Sequence, residues 1–338
     1  MPLVSVCIPT YNYARFIGRA IESVLAQTHS DLELIVLDDA STDQTAAVIA
    51  RYHGDERLSV QCYERNIGLF ANFNRCLDAG RGEYVKVLCA DDWLHPRSIE
   101  DALAAFSRSP SAGMAASSGW LVDARDRVIG LLRAPFGDEP LVPRAQAIGA
   151  HADWGNAAGM PTHVLLRREA IAAVGGFEPE FAPASDVHLW LKVLSRYDLA
   201  WVPEPRCYLR IHDEHGHQWA YEPSESVFLL WEQMAHREPA VVDGAMLRRA
   251  LQREARHHLL YVGAHLLHLR PRSATRLLRA VGRHVPLRSA LPRFALALPR
   301  IVWEQGLRLL ALGTGRMVMY DPTPRPGPRR HEFPVSRG

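Results

Sequence analysis

The chain has 338 residues, enough for one large domain or two moderate ones, and its 48% hydrophobic and 22% charged content is that of a globular protein. Its net charge of +2 conceals an acidic body, with 21 basic and 33 acidic residues up to Asp243, and a basic remainder with 18 Arg and no Lys from Met246 onward. The five scattered Cys contain no CxxC pair, so the sequence shows neither a zinc site nor a disulfide framework and fits a reducing compartment.

Apolar segments in this chain are too short or too interrupted to span a membrane. No window approaches the roughly 18 uninterrupted apolar residues of a spanning helix, since Arg and Pro break even the stretch near residue 300. The first apolar segment, Leu3 to Ile8, has no basic residue before it and no small residues for cleavage after it, so it is read as a strand. We therefore predict a soluble or surface-bound protein.

Strand and helix patterns alternate through the first part of the chain. In chain order they predict a strand at 4–9, a helix near 17–25, a strand at 32–37, a helix at 45–52, a strand around Val60, a helix at 70–77, a strand at 84–88 and a helix beginning at Pro96. Such alternation is typical of an α/β fold in which helices flank a mostly parallel, Rossmann-type sheet.

After Gly113 the pattern is less regular. It predicts strands at 114–118, 164–166 and 207–211, helices at 168–174 and 187–196, and an irregular stretch at 134–161. A helical pattern from Leu247 to Leu266 is expected to end at Pro271. We predict three parts: a domain at 1–220, a basic α-helical extension at 221–320 and a disordered tail at 321–338.

Polar residues follow three of the predicted strands. They are Thr10, Tyr11 and Asn12 after the first strand, Asp38 and Asp39 after the second, and Asp91 and Asp92 after the strand at 84–88. Parallel strands deliver their carboxyl ends to one edge of a sheet, where such sheets bind ligands. Tyr11 offers a ring on which a base can stack, and Asp39 a carboxylate for the imide N–H of uracil or for a guanine edge. Together they predict a nucleoside site.

The adjacent carboxylates of Asp91 and Asp92 predict a divalent cation, because they repel each other unless a cation lies beside them. Hard oxygen ligands favour Mg²⁺ or Mn²⁺, which can bridge a diphosphate. Simpler explanations stay open. Asp92 could cap the helix at Pro96, and Asn12 and Asp38 could satisfy loop amides.

Five spaced blocks of the sequence resemble the ordered motifs of family 2 glycosyltransferases with the GT-A fold. They cover about residues 3–215 and read VSVCIPTYN, LELIVLDDASTD, RNIGLFANFNRCLDAGRGEYVKVLCADD, VLLRREAIAAVGGFEP, and ASDVHLWLKVL with YLRIH. The resemblance implies a GT-A-like domain, here followed by the helical extension. It also implies inverting transfer of a sugar from a nucleotide-diphosphate donor, a UDP-sugar above all, to an acceptor hydroxyl in cell-surface polysaccharide or glycolipid synthesis.

The resemblance assigns roles to individual residues. Together with the polar strand ends, the donor-binding set is Pro9, Thr10, Tyr11, Asn12, Asp38, Asp39, Asn66, Gly68, Asn74 and Asp91. The metal set, for Mn²⁺ or Mg²⁺, is Asp91, Asp92 and His212. The general base is Asp186, although an Asp at a helix start is most often an N-cap, and the acceptor is expected beside Gly176, Phe177 and Trp190. Cys89 is a departure, because members of the family commonly have Asp at that position.

Two other functions fit parts of the sequence. Cys89 and the long tail are compatible with a noncatalytic nucleotide-sugar-binding or scaffold protein. A sugar nucleotidyltransferase would want a Gly-rich phosphate loop with a basic residue where this chain reads PTYNYARF. We expect a nucleotide-sugar donor and a glycan or lipid-linked acceptor as partners.

The basic region after Met246 has three explanations. It could be a helical appendage packed on the domain, a patch for an anionic membrane surface, or a nucleic-acid site, which the acidic body would oppose. We therefore expect no nucleic-acid partner. We expect a cytoplasmic protein that can associate peripherally with the inner face of the cell membrane.

Overall fold

The computed structural model describes residues 1–212, 224–267 and 271–287. Its strands are β1 (Val4–Thr10), β2 (Leu32–Asp38), β3 (Leu58–Cys62), β4 (Tyr84–Val87), β5 (Trp93–Leu94), β6 (Ala112–Val122), β7 (Val128–Leu132), β8 (Leu141–Val142), β9 (Val164–Arg167) and β10 (Asp198–Arg210). Its α-helices are α1 (Ile17–Leu25), α2 (Thr45–Ile49), α3 (Leu69–Ala79), α4 (Ser98–Arg108), α5 (Arg144–Trp154), α6 (Arg168–Val174), α7 (Ser185–Leu194), α8 (Ser226–Arg237), α9 (Gly244–Leu267) and α10 (Pro271–His284).

One sheet of ten strands forms the centre of the fold, in the order β3-β2-β1-β4-β9-β6-β10-β5, with β7 on β6 and β8 on β10. Strands β3, β2, β1 and β4 are parallel, whereas β9 runs antiparallel to both β4 and β6. The predicted α/β architecture is confirmed. Antiparallel pairings of β5, β7, β8 and β9 make the sheet more mixed than expected.

The continuous apolar run of β1 reflects burial on both faces of the sheet. All seven residues of β1 are buried. Val6 and Ile8 pack into one core cluster with α1 and α4, and Cys7 packs into the other with α3 and α7. Central parallel strands covered by helices on both sides have this composition. Burial on both faces therefore holds β1 in the centre of the sheet.

Several predicted boundaries are wrong because strand pairing creates or extends elements. The stretch at 134–161 contains β8 and α5, and the short strands predicted at 114–118 and 207–211 belong to β6 and β10, of 11 and 13 residues. Strand β7 follows a turn in which Asp126 has a φ of 63°, a left-handed conformation that Gly adopts more readily than other residues. The helix expected at Pro96 begins at Ser98.

The carboxy-terminal helices pack against the same core as the sheet. Phe228 and Trp231 of α8 and Leu251 of α9 belong to the core cluster that also contains Trp190. Pro271 is the first residue of α10, where its fixed φ and missing N–H are tolerated. The predicted boundary at 220, residues 288–320 and the tail at 321–338 lie outside the described residues. Within the described part of the chain, no helix is both long and apolar enough to cross a membrane.

Candidate active site

The carboxyl ends of β1, β2 and β4 meet at one edge of the sheet. Thr10 lies opposite Asp38 in the parallel pair of β1 and β2, and pairing of β1 with β4 continues to Leu88, whose N–H donates to the Cys7 carbonyl. Three of the polar segments predicted from the sequence therefore converge as expected for this topology. Tyr11, just past β1, leaves 42% of its surface exposed at this edge.

Asn12 and Asp38 hold the two loops at this edge together. The Asn12 Oδ1 atom accepts from the Thr42 N–H at 2.7 Å, and Asn12 itself has a φ of 60°. Asp38 Oδ1 accepts from the Ser41 N–H at 3.0 Å. Loop amides thus engage both side chains, which is the simpler role left open for them. Contact of either residue with a donor stays a prediction.

Asp39 is buried and fixes the loop before α3. Its carboxylate accepts from the Ile67 N–H at 3.0 Å, the Gly68 N–H at 3.2 Å and the Arg75 Nη1 atom at 2.9 Å. The Arg75 guanidinium also lies 3.6 Å from the centroid of the Tyr63 ring. The sequence analysis assigned no role to Arg75, because only the fold brings α3 over the end of β2.

Asn66, Gly68 and Asn74 shape the segment around α3. Gly68 has a φ of 90°, in the region that favours glycine, and its N–H donates to Asn66 Oδ1 at 3.0 Å. Asn74 uses both ends of its amide on the backbone of Phe177, at 2.8 Å each. A Cβ atom on Gly176 would lie 2.3 Å from Asn74 Oδ1, so that position accepts only glycine without a shift of the Asn74 side chain.

Asp91 and His212 face each other across the site. His212 Nε2 and Asp91 Oδ2 are 3.1 Å apart, and both residues are buried. Asp92 is turned inward, since its Oδ2 accepts from the Thr162 hydroxyl at 2.6 Å and its Oδ1 from the Arg210 N–H at 2.9 Å. One carboxylate oxygen beside an imidazole nitrogen fits a divalent cation such as Mn²⁺. The assignment of Asp91, Asp92 and His212 as metal ligands stays a prediction.

Cys89 completes a group of three ligand-type side chains. The Cys89 Sγ atom and oxygens of Asp91 and Asp92 all lie within 4.8 Å of one another. Burial raises the pKa of the Cys89 thiol well above its ordinary value, and the charges of Asp92, Asp91 and Asp186 add to this effect. The thiol is thus neutral at physiological pH. Asp186 lies close enough to Cys89 for its negative charge to raise the pKa of the thiol.

Asp186 lies in the first turn of α7 with 5% of its surface exposed. The N-cap position is Ala184 and Asp186 is the second residue of the helix, so Asp186 is not the N-cap residue. Its Oδ2 accepts from Asn156 Nδ2 at 2.8 Å, and its Oδ1 from the Val187 N–H at 2.7 Å. Burial raises the pKa of Asp186 to about 6, although the two hydrogen bonds act in the opposite direction and lower it.

Phe177 and Trp190, which are predicted beside the acceptor, lie in the core. They are 3% and 1% exposed, and their ring centroids are 6.2 Å apart. The indole N–H of Trp190 donates to the Gly159 carbonyl at 3.0 Å. Both rings pack α7 against the loop that follows α6. Contact of either residue with an acceptor stays a prediction.

The sequence profile of Glycosyl transferase family 2 matches residues 5–173, half of the chain. The chain belongs to this family. It is 41% identical over 103 residues to the putative teichuronic acid biosynthesis glycosyltransferase TuaG of Bacillus subtilis, an alignment that covers 30% of this chain and 41% of TuaG. The chain also spans less than two thirds of the length of other leading curated relatives.

Solved structures show that this family 2 chain has the GT-A fold. S. aureus TarS 1-349 in complex with UDP-GlcNAc has a TM-score of 0.63 at 18% identity, covering 94% of this chain and 93% of TarS 1-349. The mannosyltransferase PcManGT of Pyrobaculum calidifontis, in complex with GDP-Man and Mn²⁺, has a TM-score of 0.57 at 21% identity, covering 89% of this chain and 83% of that one. At these identities the likeness concerns the fold alone.

Arg210 is a residue of this family 2 site that the sequence analysis missed. It is 3% exposed, its Nε donates to the Asp91 carbonyl at 2.9 Å, and its Nη1 forms an ion pair with Asp126. The guanidinium lies between the rings of Phe16 and Trp93, 4.7 and 5.0 Å from their centroids. Arg210 thus fixes the chain at the Asp pair. The only signal in the sequence was its place in YLRIH, two residues before His212.

Proposed function

We propose that this protein is an inverting glycosyltransferase. It transfers a sugar from a nucleotide-diphosphate donor, with UDP as the nucleotide, to an acceptor hydroxyl in the synthesis of a cell-surface polysaccharide or glycolipid. The observation that carries the proposal is that the Asp91–His212 pair and the buried Asp186 lie near one edge of the sheet in a chain of family 2. The complexes of related folds with UDP-GlcNAc and with GDP-Man and Mn²⁺ support the donor class.

The nucleoside is bound at the end of β2 in this proposal. Asp39 accepts from the Ile67 N–H, which its two oxygens share, from the Gly68 N–H and from Arg75. We expect the imide N–H of uracil to donate to the same carboxylate, which offers about four lone-pair sites. The exposed ring of Tyr11 supplies a face for the base. Asp39 therefore recognises the base and keeps the neighbouring loop in place at the same time.

Asp91 and His212 hold Mn²⁺ or Mg²⁺ in this proposal, while Asp92 and Arg210 keep Asp91 in position. A bound cation of this kind stabilises, as a Lewis acid, the negative charge that develops on a departing diphosphate. Because Asp92 already accepts two hydrogen bonds from the protein, its loss should disturb the site through structure, whereas loss of His212 should remove a ligand.

Asp186 is the general base in this proposal. With a pKa of about 6 it is ionised at neutral pH and still basic enough to take the proton of an attacking hydroxyl. Asn156 and the Val187 N–H keep its two oxygens oriented. Attack from the side of Asp186, opposite the departing diphosphate, inverts the anomeric carbon in one displacement.

Thermal unfolding with UDP, GDP, dTDP and CMP, each with and without Mn²⁺, tests the donor class. A ligand at a hundredfold excess over its dissociation constant stabilises the folded state by about 2.7 kcal/mol. We expect stabilisation by UDP that requires Mn²⁺, that His212→Gln loses, and that the exposed control His53→Gln retains. Stabilisation by none of the nucleotides would contradict the proposal. Binding of a UDP-sugar without any release of UDP would favour the scaffold function.

We also propose that the protein works in the cytoplasm and associates peripherally with the inner face of the membrane. On α10, Arg276 and Arg279 are exposed on the face opposite the buried Leu277 and Val281. Arg residues near an anionic surface contribute about 1 kcal/mol each. Co-sedimentation with vesicles of phosphatidylcholine and phosphatidylglycerol, but not of phosphatidylcholine alone, is the expected result, and equal sedimentation with both would refute an electrostatic attachment.

A further inference from the structure

The turn between β6 and β7 carries a carboxylate to which the sequence analysis assigned no role. Asp126 lies in this turn with a φ of 63°, and 34% of its side chain is exposed. The turn is held by Asp123, whose Oδ1 atom accepts from the Arg125 N–H at 2.8 Å and from the Arg127 N–H at 3.0 Å. The Asp126 N–H donates to the Asp123 carbonyl at 3.0 Å. These bonds hold the backbone around Asp126 in one conformation.

Asp126 pairs with two arginines that differ in exposure. Its Oδ1 atom forms an ion pair with Arg210 Nη1, and its Oδ2 atom forms one with Arg19 Nη1 of α1. The side chain of Arg210 is 3% exposed, and that of Arg19 is 45% exposed. In the described part of the chain, the ion pair with Asp126 is the only one that Arg210 forms. A buried charge needs a partner far more than an exposed charge does, so Arg210 depends on Asp126 more than Arg19 does.

Arg210 brings its charge to the Asp pair. Its Nε atom donates to the Asp91 carbonyl and its N–H to Asp92 Oδ1, at 2.9 Å each. A buried guanidinium without an anionic partner is costly, because its charge is removed from water without compensation. In this position Arg210 has the carboxylates of Asp91 and Asp92 nearby as alternative partners. Loss of Asp126 would therefore draw Arg210 towards the Asp91 carboxylate, which the proposed function assigns to a cation.

Aromatic rings around Arg210 extend its contacts to His212. The guanidinium lies 4.7 Å from the centroid of the Phe16 ring and 5.0 Å from that of Trp93, distances at which a cation and a ring attract each other. The centroid of the Phe16 ring is in turn 4.8 Å from that of the His212 ring. A shift of Arg210 would therefore reach Asp91 through a hydrogen bond and His212 through Phe16.

We propose that Asp126 is a positioning residue for the Asp91–His212 pair. By neutralising Arg210, Asp126 keeps the guanidinium on the Asp91 carbonyl and prevents it from competing with a divalent cation for the Asp91 carboxylate. Asp126 thus acts through Arg210 and is not itself a ligand. The inference rests on the proposed function, because it takes Asp91 and His212 as the residues that hold the cation.

Mn²⁺ binding to Asp126→Asn, measured by electron paramagnetic resonance with UDP present, tests this role. Asn keeps the size of the side chain and tolerates a positive φ as Asp does, so the variant removes the charge alone. We expect Mn²⁺ to bind about tenfold or more weakly than to the wild type, as loss of a partner outside the ligand set implies. Circular dichroism at the temperature of the measurement shows whether the variant is folded.

Arg19→Met is the matched control, because it breaks the other ion pair of Asp126 and leaves the pair with Arg210. Met keeps an apolar side chain over the Trp93 ring, whose centroid lies 3.9 Å from the Arg19 guanidinium. We expect this variant to bind Mn²⁺ as the wild type does. If Asp126 served only to anchor the turn on α1, Arg19→Met and Asp126→Asn would weaken Mn²⁺ binding to the same degree, and the positioning role would be refuted.

The same substitution in an Arg210→Met background shows whether Asp126 acts through Arg210. We expect Arg210→Met alone and the double variant with Asp126→Asn to bind Mn²⁺ equally, because no buried cation is left to neutralise. A further loss of about tenfold in the double variant would refute this route. The comparison also applies if Asp126→Asn alone does not fold, since removing both members of a buried ion pair is tolerated better than removing one.

The remaining outcomes separate an error in this inference from an error in the proposed function. If the wild type binds Mn²⁺ with UDP and Asp126→Asn binds it equally well, the positioning role is wrong while the proposed function stands. If the wild type binds neither Mn²⁺ nor UDP, the proposed function fails and the positioning role fails with it.

Discussion

Replacing Asp186 by Asn should stabilise the folded protein while it slows transfer. The ordinary pKa of an Asp side chain is 3.8, and burial raises that of Asp186 to about 6. One pKa unit corresponds to 1.36 kcal/mol, so ionised Asp186 costs the folded state about 3 kcal/mol at pH 7. Asn carries no charge and keeps an oxygen for one of the two donors. Activity should fall by about 10² to 10⁴, the range for a positioned base.

The sign of the pH dependence follows from the direction of the pKa change. Between about pH 3.8 and 6 the folded protein binds more protons at Asp186 than the unfolded chain does. The wild type therefore loses stability relative to Asp186→Asn as the pH rises through this window, and the loss is complete above the folded pKa. Near pH 4 the two proteins should differ little.

Urea unfolding of wild type and Asp186→Asn at pH 4.5 and pH 8 measures this difference. The control Asp153→Asn removes an exposed carboxylate, paired with Arg249 at the surface, and should change stability little at either pH. The stabilisation by Asp186→Asn should grow from pH 4.5 to pH 8. A variant that is less stable than the wild type at both pH values would refute the view that Asp186 carries a costly buried charge, and full activity would refute its role as base.

Three further predictions concern the residues around the site. His212→Gln should weaken Mn²⁺ binding, measured by electron paramagnetic resonance, at least tenfold, as loss of a ligand implies, and unchanged affinity relative to His53→Gln would contradict the ligand role. Arg210→Met should lower the free energy of unfolding by about 1 to 3 kcal/mol, because it leaves the Asp91 carbonyl without its buried donor and Asp126 without one of its cationic partners, and an unchanged urea midpoint would refute this. Asn156→Ala removes a hydrogen bond that lowers the pKa of Asp186, so the acid limb of the pH profile of kcat/KM should move to higher pH. An unchanged profile would show that Asn156 does not influence the base.

Much of the site could be predicted because strand ends are local features of the sequence. The apolar runs of β1, β2 and β4 predicted central strands, and the parallel topology then required Thr10, Asp38 and Asp91 to meet. Glycine at position 68 and the helix stop at Gly175 also depend on local conformation, with φ values of 90° and 81°. Such features need only the chain before and after them, so periodicity and residue type suffice.

Arg210, Arg75 and Asn156 could not be predicted in the same way, because each acts on a residue far away in the chain. Asn156 lies in a stretch without strand alternation, two residues after the end of α5, a helix with a weak apolar face. It reaches Asp186 only because α5 and α7 pack together. Burial of Phe177 and Trp190 is likewise a property of packing.

The sequence by itself determined the α/β alternation, the polar strand ends and the family, since these depend on local patterns and spaced motifs. Only the tertiary structure decided which protein partners each of the two adjacent carboxylates has. Asp91 faces His212, whereas Asp92 accepts from Thr162 and Arg210, although the two Asp are adjacent in the chain. Neighbours on a turn point in different directions, so the two side chains take their hydrogen-bond partners from different, distant elements.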